Sequence, residues 1–170
     1  IESKDARNLT EGMMGYDTNP RISPDGHYMA WMSMERDGYE SDKNRLFILD
    51  LQSGEKRYLT DEFDYSLDQL VWAENSKDIY FLSVVQGTEQ IFKINIESKK
   101  IDQITNGDFD YASISPVNDE TLIALRHSIS KPDEIYSIKM STKEVSELSF
   151  ENKDILDQLT MGKVEGRWIG

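Results

Sequence analysis

The sequence contains no cysteine among its 170 residues. That absence excludes disulfide bonds and metal sites built on thiolates. Only two histidines are present, His27 and His127, and they lie far apart in the chain. The sequence therefore offers no paired histidines for a zinc site, and we expect no metal site and no cofactor.

Positive charge is also scarce. The chain has 19 Lys and Arg residues against 32 Asp and Glu residues, a net charge of −13. Nucleic acids and anionic membrane surfaces are bound through clustered basic residues, and no apolar run approaches the roughly 18 residues of a membrane-spanning helix. The sequence thus predicts neither a nucleic-acid partner nor a membrane partner. The negative charge favours solubility; the alternative is a field that attracts cationic groups such as peptide amino termini.

A third absence concerns catalysis. The sequence has no G-x-S-x-G motif, the turn that presents the nucleophilic serine of α/β-hydrolases. Ser128 directly follows His127, but adjacent residues on a strand point to opposite faces of the sheet. They do not form a nucleophile and its base, and no catalytic residue is assigned to this chain.

What the sequence does contain is an internal repeat. Leu59, Ile104 and Leu148 occupy equivalent positions 45 and 44 residues apart. Each unit has four short apolar or alternating segments separated by turn residues, as in Ser23-Pro24-Asp25-Gly26. Four strands in about 40 to 50 residues are typical of a β-propeller blade. The alternative fold, a β-sandwich, would not repeat its strands in register.

We therefore predict an all-β fold, a β-propeller fragment of about three four-stranded blades with a short C-terminal linker segment. Ile155, Leu156 and Leu159 have helical spacing, which predicts one or two helical turns in that linker. The expected units are the end of a preceding blade at 1–18, the three blades at 19–60, 66–105 and 111–150, and the linker at 151–170.

Apolar positions that recur on the inner strands predict the core. We expect these side chains to be mostly buried between blades. They are Met29, Trp31, Phe47, Leu49, Trp72, Phe81, Phe92, Ile94, Ile123, Leu125, Tyr136 and Ile138.

Some of these residues carry a resemblance to a known family. The turn at 22–26 and the closing pairs Leu59-Thr60 and Ile104-Thr105 are shared with several bacterial propellers, including the TolB type. The stretch 30–46 is more specific and resembles the propeller of prolyl oligopeptidase family serine peptidases, in their dipeptidyl peptidase five and acylaminoacyl-peptidase branch. The pattern at 152–168, with Ile155, Leu156, Leu159, Val164, Glu165 and Trp168, is similar to the linker of that branch.

The resemblance implies earlier blades upstream and an α/β-hydrolase domain, absent from this chain, after the linker. This chain would then cap the active site of a serine exopeptidase and gate or position short peptide substrates without catalysing the reaction itself. It also implies a periplasmic or otherwise exported bacterial protein. The alternative function is a non-enzymatic TolB-like propeller that binds other proteins.

The longest predicted loop between inner strands runs over 35–44 and is rich in charge. Long loops of this kind are often functional. We take Glu35, Arg36, Tyr39 and Glu40 as candidate substrate-binding residues, because Glu35 or Glu40 could accept hydrogen bonds from a peptide α-ammonium group. The alternative is a solvated loop with local pairs such as Glu35 with Arg36, which stabilise little when exposed.

Two predicted crossings between blades are acidic and aromatic, at 61–65 and 106–111. Carboxylates suit calcium, but neither segment matches an EF-hand loop. We expect the aromatic residues at these crossings to pack between blades. They are Phe63, Tyr65, Phe109 and Tyr111.

Three blades leave two blade faces without a neighbour, whereas closed propellers typically have four to eight blades. Such apolar faces exceed what monomers usually expose. We expect self-association through these open faces, or cover from residues 1–10 folding back onto an edge.

Overall fold

The computed structural model describes residues 6–162 and 164–167, in which the chain forms three four-stranded antiparallel sheets. In each sheet the strands follow one another in chain order, so the sheets are the three predicted blades and the predicted all-β fold is confirmed. Blade 1 contains β1 (Asp17–Ile22), β2 (Tyr28–Ser33), β3 (Arg45–Asp50) and β4 (Lys56–Tyr58); blade 2 contains β5 (Asp68–Trp72), β6 (Asp78–Val85), β7 (Thr88–Asn95) and β8 (Ile101–Gln103); blade 3 contains β9 (Asp110–Asn118), β10 (Thr121–Ser128), β11 (Lys131–Lys139) and β12 (Val145–Glu147).

The blades pack face to face because side chains alternate across each strand. Blade 1 presents side chains such as Met32 and Ile48 to Phe81 and Phe92 of blade 2. The opposite face of blade 2 packs on blade 3, with side chains that include Tyr80, Leu82, Ile91, Leu122, Ala124 and Ile138. Blade 2 is therefore covered on both faces, which explains why β6 is an almost continuous apolar run.

The end of each blade is closed by a hydroxyl side chain. The residue two positions after the outer strand accepts a hydrogen bond from a backbone N–H of the third strand, at the second position of that strand in blade 1, the fourth in blade 2 and the fifth in blade 3. The distances are 3.0 Å from Leu46 N to Thr60 Oγ1, 2.9 Å from Ile91 N to Thr105 Oγ1 and 2.8 Å from Ile135 N to Ser149 Oγ. This bond is the structural reason for the recurring Leu-Thr, Ile-Thr and Leu-Ser pairs.

Each innermost strand is interrupted by an irregularity in its pairing register. Asn19, Gln69 and Ser113 lie at these points with φ values of 52°, 41° and 52°, a conformation that few residues other than glycine adopt. The Gln69 side chain also joins two blades, because its Oε1 accepts a 2.7 Å hydrogen bond from the backbone N–H of Ile114. The bulges are therefore a repeated part of the blade.

Nine of the twelve predicted core side chains are buried, whereas Phe47, Ile123 and Leu125 are only half-buried, so the prediction is wrong at these three positions. Ile123 and Leu125 lie on the face of blade 3 that points away from blade 2. Phe47 lies on the face of blade 1 that points away from blade 2. These faces lack the neighbouring blade that buries the equivalent side chains elsewhere.

The outward face of blade 1 is covered by the chain itself. Leu9 and Met13 pack on the cluster of Met29, Trp31 and Leu49. These three side chains are buried as expected, but beneath the N-terminal segment and not between two blades. Residues 1–5 of the segment predicted to fold back lie outside the described residues.

The meander of each blade places the connections that follow its second and fourth strands at one end of the sheets. This loop end comprises the β2–β3 loop at 34–44, the turns at 86–87 and 129–130, and the crossings at 59–67 and 104–109. After blade 3 the chain continues at the same end into the short helix α1 (Lys153–Leu156), the predicted helical turn. Among the described residues, no helix is long and apolar enough to span a bilayer.

Candidate functional site at the loop end

The β2–β3 loop is held by an ion pair within the loop. The guanidinium of Arg36 pairs with the Asp42 carboxylate, with Nε 3.0 and 3.1 Å from its two oxygens, and the Arg36 backbone N–H donates to the same carboxylate at 3.0 Å. The hydrogen bond from Arg36 lowers the pKa of Asp42, and the same bond raises the pKa of Arg36. The Arg36 guanidinium also lies 4.0 Å from the ring centroid of Tyr39. Arg36 is thus engaged inside the loop.

The base of the loop is fixed by Arg45. Its guanidinium donates to the carbonyl oxygens of Ser33 at 3.2 Å and Met34 at 2.9 Å. It also lies 3.8 Å from the Glu35 carboxylate. The alternative interpretation of the loop gave Glu35 with Arg36 as an example of a local pair; in the structure Glu35 pairs with Arg45, and Arg36 pairs with Asp42.

Gly15 packs against this same base. A Cβ atom on Gly15 would lie 2.2 Å from the Met34 carbonyl oxygen and 3.1 Å from the Glu35 nitrogen. The Tyr16 carbonyl accepts a 3.0 Å hydrogen bond from the Met34 N–H. The segment that covers blade 1 therefore also supports the loop.

Of the four predicted residues, three remain available to a ligand. The Glu35 side chain is 72% exposed, and Tyr39 is exposed beside Arg36. Glu40 is exposed and makes no hydrogen bond or ion pair within the described part of the chain. The loop therefore offers two carboxylates and one aromatic ring, groups that suit a cation.

The aromatic residues of the crossings behave in two ways. Phe63 packs against the rings of Phe81 and Phe92 at centroid distances of 5.6 and 5.4 Å, and Tyr111 is fully buried. Tyr65 is 44% exposed and Phe109 is 36% exposed, so the expected burial of these two between blades is wrong. Residues 6–162 and 164–167 hold no group of three His, Asp or Glu side chains that could bind a metal ion.

His127 belongs to an exposed ion cluster. Its Nδ1 lies 2.9 Å from Asp133 and its Nε2 lies 3.8 Å from Asp110. The neighbouring Ser128 pairs in register with Lys131 at the β10–β11 turn. The carboxylates of Asp133 and Asp110 therefore fix the orientation of the His127 imidazole ring.

One buried polar position was missed in the sequence. Glu134 is only 2% exposed, and Gln90 at the equivalent position of blade 2 is 1% exposed. The hydrogen bond from Ser149 Oγ and then the one from the Asn152 N–H lower the pKa of Glu134 to about 2. The sequence did contain a signal for this buried polar position, because a polar residue recurs immediately before Leu46, Ile91 and Ile135.

The comparisons with known proteins agree with this architecture. No protein-family model matches the chain. The chain is 45% identical over 169 residues to a dipeptidyl-peptidase 5 of Porphyromonas gingivalis. The aligned region covers 99% of this chain and 25% of that protein. This chain thus spans about a quarter of the length of that curated relative.

Solved structures share the fold. The acylaminoacyl peptidase of Pyrococcus horikoshii superposes with a TM-score of 0.66 at 21% identity, over 80% of this chain and 20% of that protein. TolB of Acinetobacter baumannii superposes with a TM-score of 0.60 at 16% identity, over 81% of this chain and 33% of that protein. The resemblance inferred from the motifs is confirmed.

Proposed function

From the 45% identity to a dipeptidyl-peptidase 5 and the fold shared with an acylaminoacyl peptidase, we propose that this chain is a propeller of that branch of the prolyl oligopeptidase family and the non-catalytic cap of a serine exopeptidase. In this proposal an α/β-hydrolase domain follows the linker and carries the catalytic serine. The propeller covers that active site and gates or positions short peptides. The parent protein is periplasmic or otherwise exported.

The observation that carries the proposal is the asymmetry of exposed apolar side chains. They concentrate at the loop end of blade 3 and along the segment that leaves it. The set comprises Ile129, Leu148, Phe150, Ile155, Leu159, Met161 and Val164, with exposed fractions from 43% to 83%. Exposed apolar groups in this density mark a surface that packs against another part of a protein. A domain that follows residue 170 would meet this surface first.

The β2–β3 loop lies at the same end of the sheets and so would face that domain. Its exposed carboxylates, Glu35 and Glu40, could bind the α-ammonium group of a peptide, and Tyr39 could contact the ligand beside them. Because Arg36 is paired with Asp42, its role in the proposal is to hold the loop in shape.

The test uses the full-length protein that the proposal implies. Residues 36–42 are replaced by a Gly-Ser segment of equal length, and cleavage of dipeptidyl substrates is compared with cleavage of long unfolded peptides. We expect the loop variant to lose selectivity for short peptides. The control replaces the turn at 52–54, which lies at the opposite end of the sheets. Unchanged selectivity in the loop variant would reject the gating role.

A TolB-like binding module is the second candidate, because the TolB structure shares the fold over 81% of this chain. The coding sequence after Gly170 distinguishes the peptidase cap from the TolB-like binding module. A G-x-S-x-G motif on a strand–turn–helix segment there supports the peptidase, and a termination codon without such a motif supports the binding module.

A further inference from the structure

We propose that Glu134 is a positioning residue that fixes the direction in which the chain leaves blade 3, with the hinge of the linker immediately after Asn152. Glu134 belongs to β11, whereas the residues that it holds follow β12. It therefore joins the body of the blade to the first residues beyond it.

The Glu134 carboxylate is saturated by this segment. Its Oε1 accepts hydrogen bonds from the Asn152 backbone N–H at 2.9 Å and from Asn152 Nδ2 at 3.0 Å. Its Oε2 accepts one from the Glu151 N–H at 3.3 Å and one from Ser149 Oγ. Since Ser149 Oγ also accepts from the Ile135 N–H, the segment is tied to β11 at two consecutive residues. A buried carboxylate with four donors is a rigid anchor.

The same position holds the segment that leaves blade 2 and, in blade 1, the base of the β2–β3 loop, in both cases as a donor of hydrogen bonds. Gln90 donates through Nε2 to the carbonyl oxygens of Gly107 and Phe109 at 3.3 and 2.7 Å, and so holds the crossing into blade 3. Arg45 donates to two carbonyl oxygens at the base of its loop. Blade 3 has a carboxylate there because the segment that leaves it presents N–H groups. The side chain at this position thus accepts hydrogen bonds where the backbone presents N–H groups and donates them where the backbone presents carbonyl oxygens.

The anchoring ends at Asn152. Helix α1 follows directly and has no buried residue. A cavity of about 340 Å³ lies between the helix and the edge of blade 3, lined in part by Lys131, Glu147, Phe150 and Leu156. Among the described residues, the hydrogen bonds that tie this segment to blade 3 therefore end at Asn152, and the helix can pivot there.

The anchor itself follows from the contacts of this chain. Its consequence, that Glu134 sets the orientation of a following domain, rests on the proposed function. The experiment below uses this chain alone, so its result does not depend on peptidase activity.

The absence of cysteine permits site-specific spin labelling without removing native residues. Labels are placed on Glu97→Cys, in the exposed β7–β8 turn of blade 2, and on Leu159→Cys beyond the hinge. The distance distribution between them is measured by double electron–electron resonance. Removing the anchor with Glu134→Ala should roughly double the width of the distribution, because the segment after β12 loses its hydrogen bonds to the Glu134 carboxylate.

Three further variants separate positioning from general damage. Glu147→Ala removes a different carboxylate of blade 3, paired with Lys131, and should leave the distribution unchanged. Glu134→Gln retains the oxygen that accepts from the Asn152 N–H and should restore most of the narrow distribution. Ser149→Ala removes one tie without emptying the buried site, and serves if Glu134→Ala fails to fold. A distribution that stays narrow in both Glu134→Ala and Ser149→Ala, or one that broadens equally in Glu147→Ala, overturns the proposal.

Discussion

The two outer blades of this chain each have one face that no other blade covers, yet only one of these two faces is covered by another segment. Blade 1 turns Met29, Trp31 and Leu49 outward, and the N-terminal segment covers them with Leu9 and Met13. Blade 3 turns Ile123, Leu125 and Ile135 outward, and they stay half-buried or exposed. The strand geometry is the same in both blades. What differs is whether another part of the chain reaches the face, so burial in a propeller is decided by the neighbour as much as by the strand.

The strongest test of this comparison replaces a phenylalanine by alanine at the equivalent position of two blades. Phe92 and Phe47 are equivalent, but Phe92 is 5% exposed between two blades whereas Phe47 is half-buried on the outward face. Phe92→Ala should lower the free energy of unfolding by about 3–5 kcal/mol, the usual cost of emptying a buried phenylalanine site. Phe47→Ala should cost roughly 1–3 kcal/mol, because less buried area is lost. Urea unfolding measures both, and equal costs would contradict the role assigned to the neighbouring blade.

A second test loosens the segment that covers blade 1. Gly15→Ala would place a Cβ atom against the Met34 carbonyl oxygen, so the covering segment must move away from the loop base. We expect a loss of about 1–3 kcal/mol, as for other overpacked contacts, and increased hydrogen exchange at Trp31. Gly162→Ala is the control, since no atom lies within 4 Å of its added Cβ. A Gly15→Ala protein as stable as wild type would show that the segment does not constrain the loop.

The third test concerns pH at the exit from blade 3. The pKa of Glu134 is lowered from 4.5 to about 2 by the hydrogen bonds from Ser149 and Asn152. Because the pKa is lower in the folded state, the ionised Glu134 stabilises the anchor fully at pH values above its pKa in the unfolded chain. This stabilisation is lost as the pH falls through the pKa of the folded state. Amide exchange at Glu151 and Asn152 should therefore rise, relative to intrinsic rates, between about pH 4.5 and about pH 2. The Glu134→Gln protein should lack this transition; if it retains the transition, another group is responsible.

The sequence was sufficient for the blades because their signals are local and repeated. Turn residues, strand alternation and the recurring Leu59 and Ile104 positions depend on each blade alone. The errors arose where a feature depends on distant parts of the chain. Ile123 and Leu125 have apolar side chains at core positions, and only the absent neighbour makes them half-buried. The Arg36–Asp42 pair depends on how the loop folds, which adjacency in sequence does not specify.

The smallest expected effect concerns the uncovered face of blade 3, and self-association through it remains a prediction. The apolar strip of Ile123, Leu125 and Ile135 lies beside the polar Ser137 on this face, so two copies would bury a modest, mixed interface. Interfaces near the lower limit of stable size dissociate readily. We expect light scattering to show a weak, concentration-dependent dimer in which this face pairs with its own copy about a twofold axis. Leu125→Lys should abolish the dimer, whereas Leu51→Lys, at an exposed apolar site at the opposite end of the sheets, should preserve it. A wild-type chain that stays monomeric at the highest soluble concentration would show that an uncovered blade face of this composition is tolerated in water, and that the cover over blade 1 serves the loop that it supports.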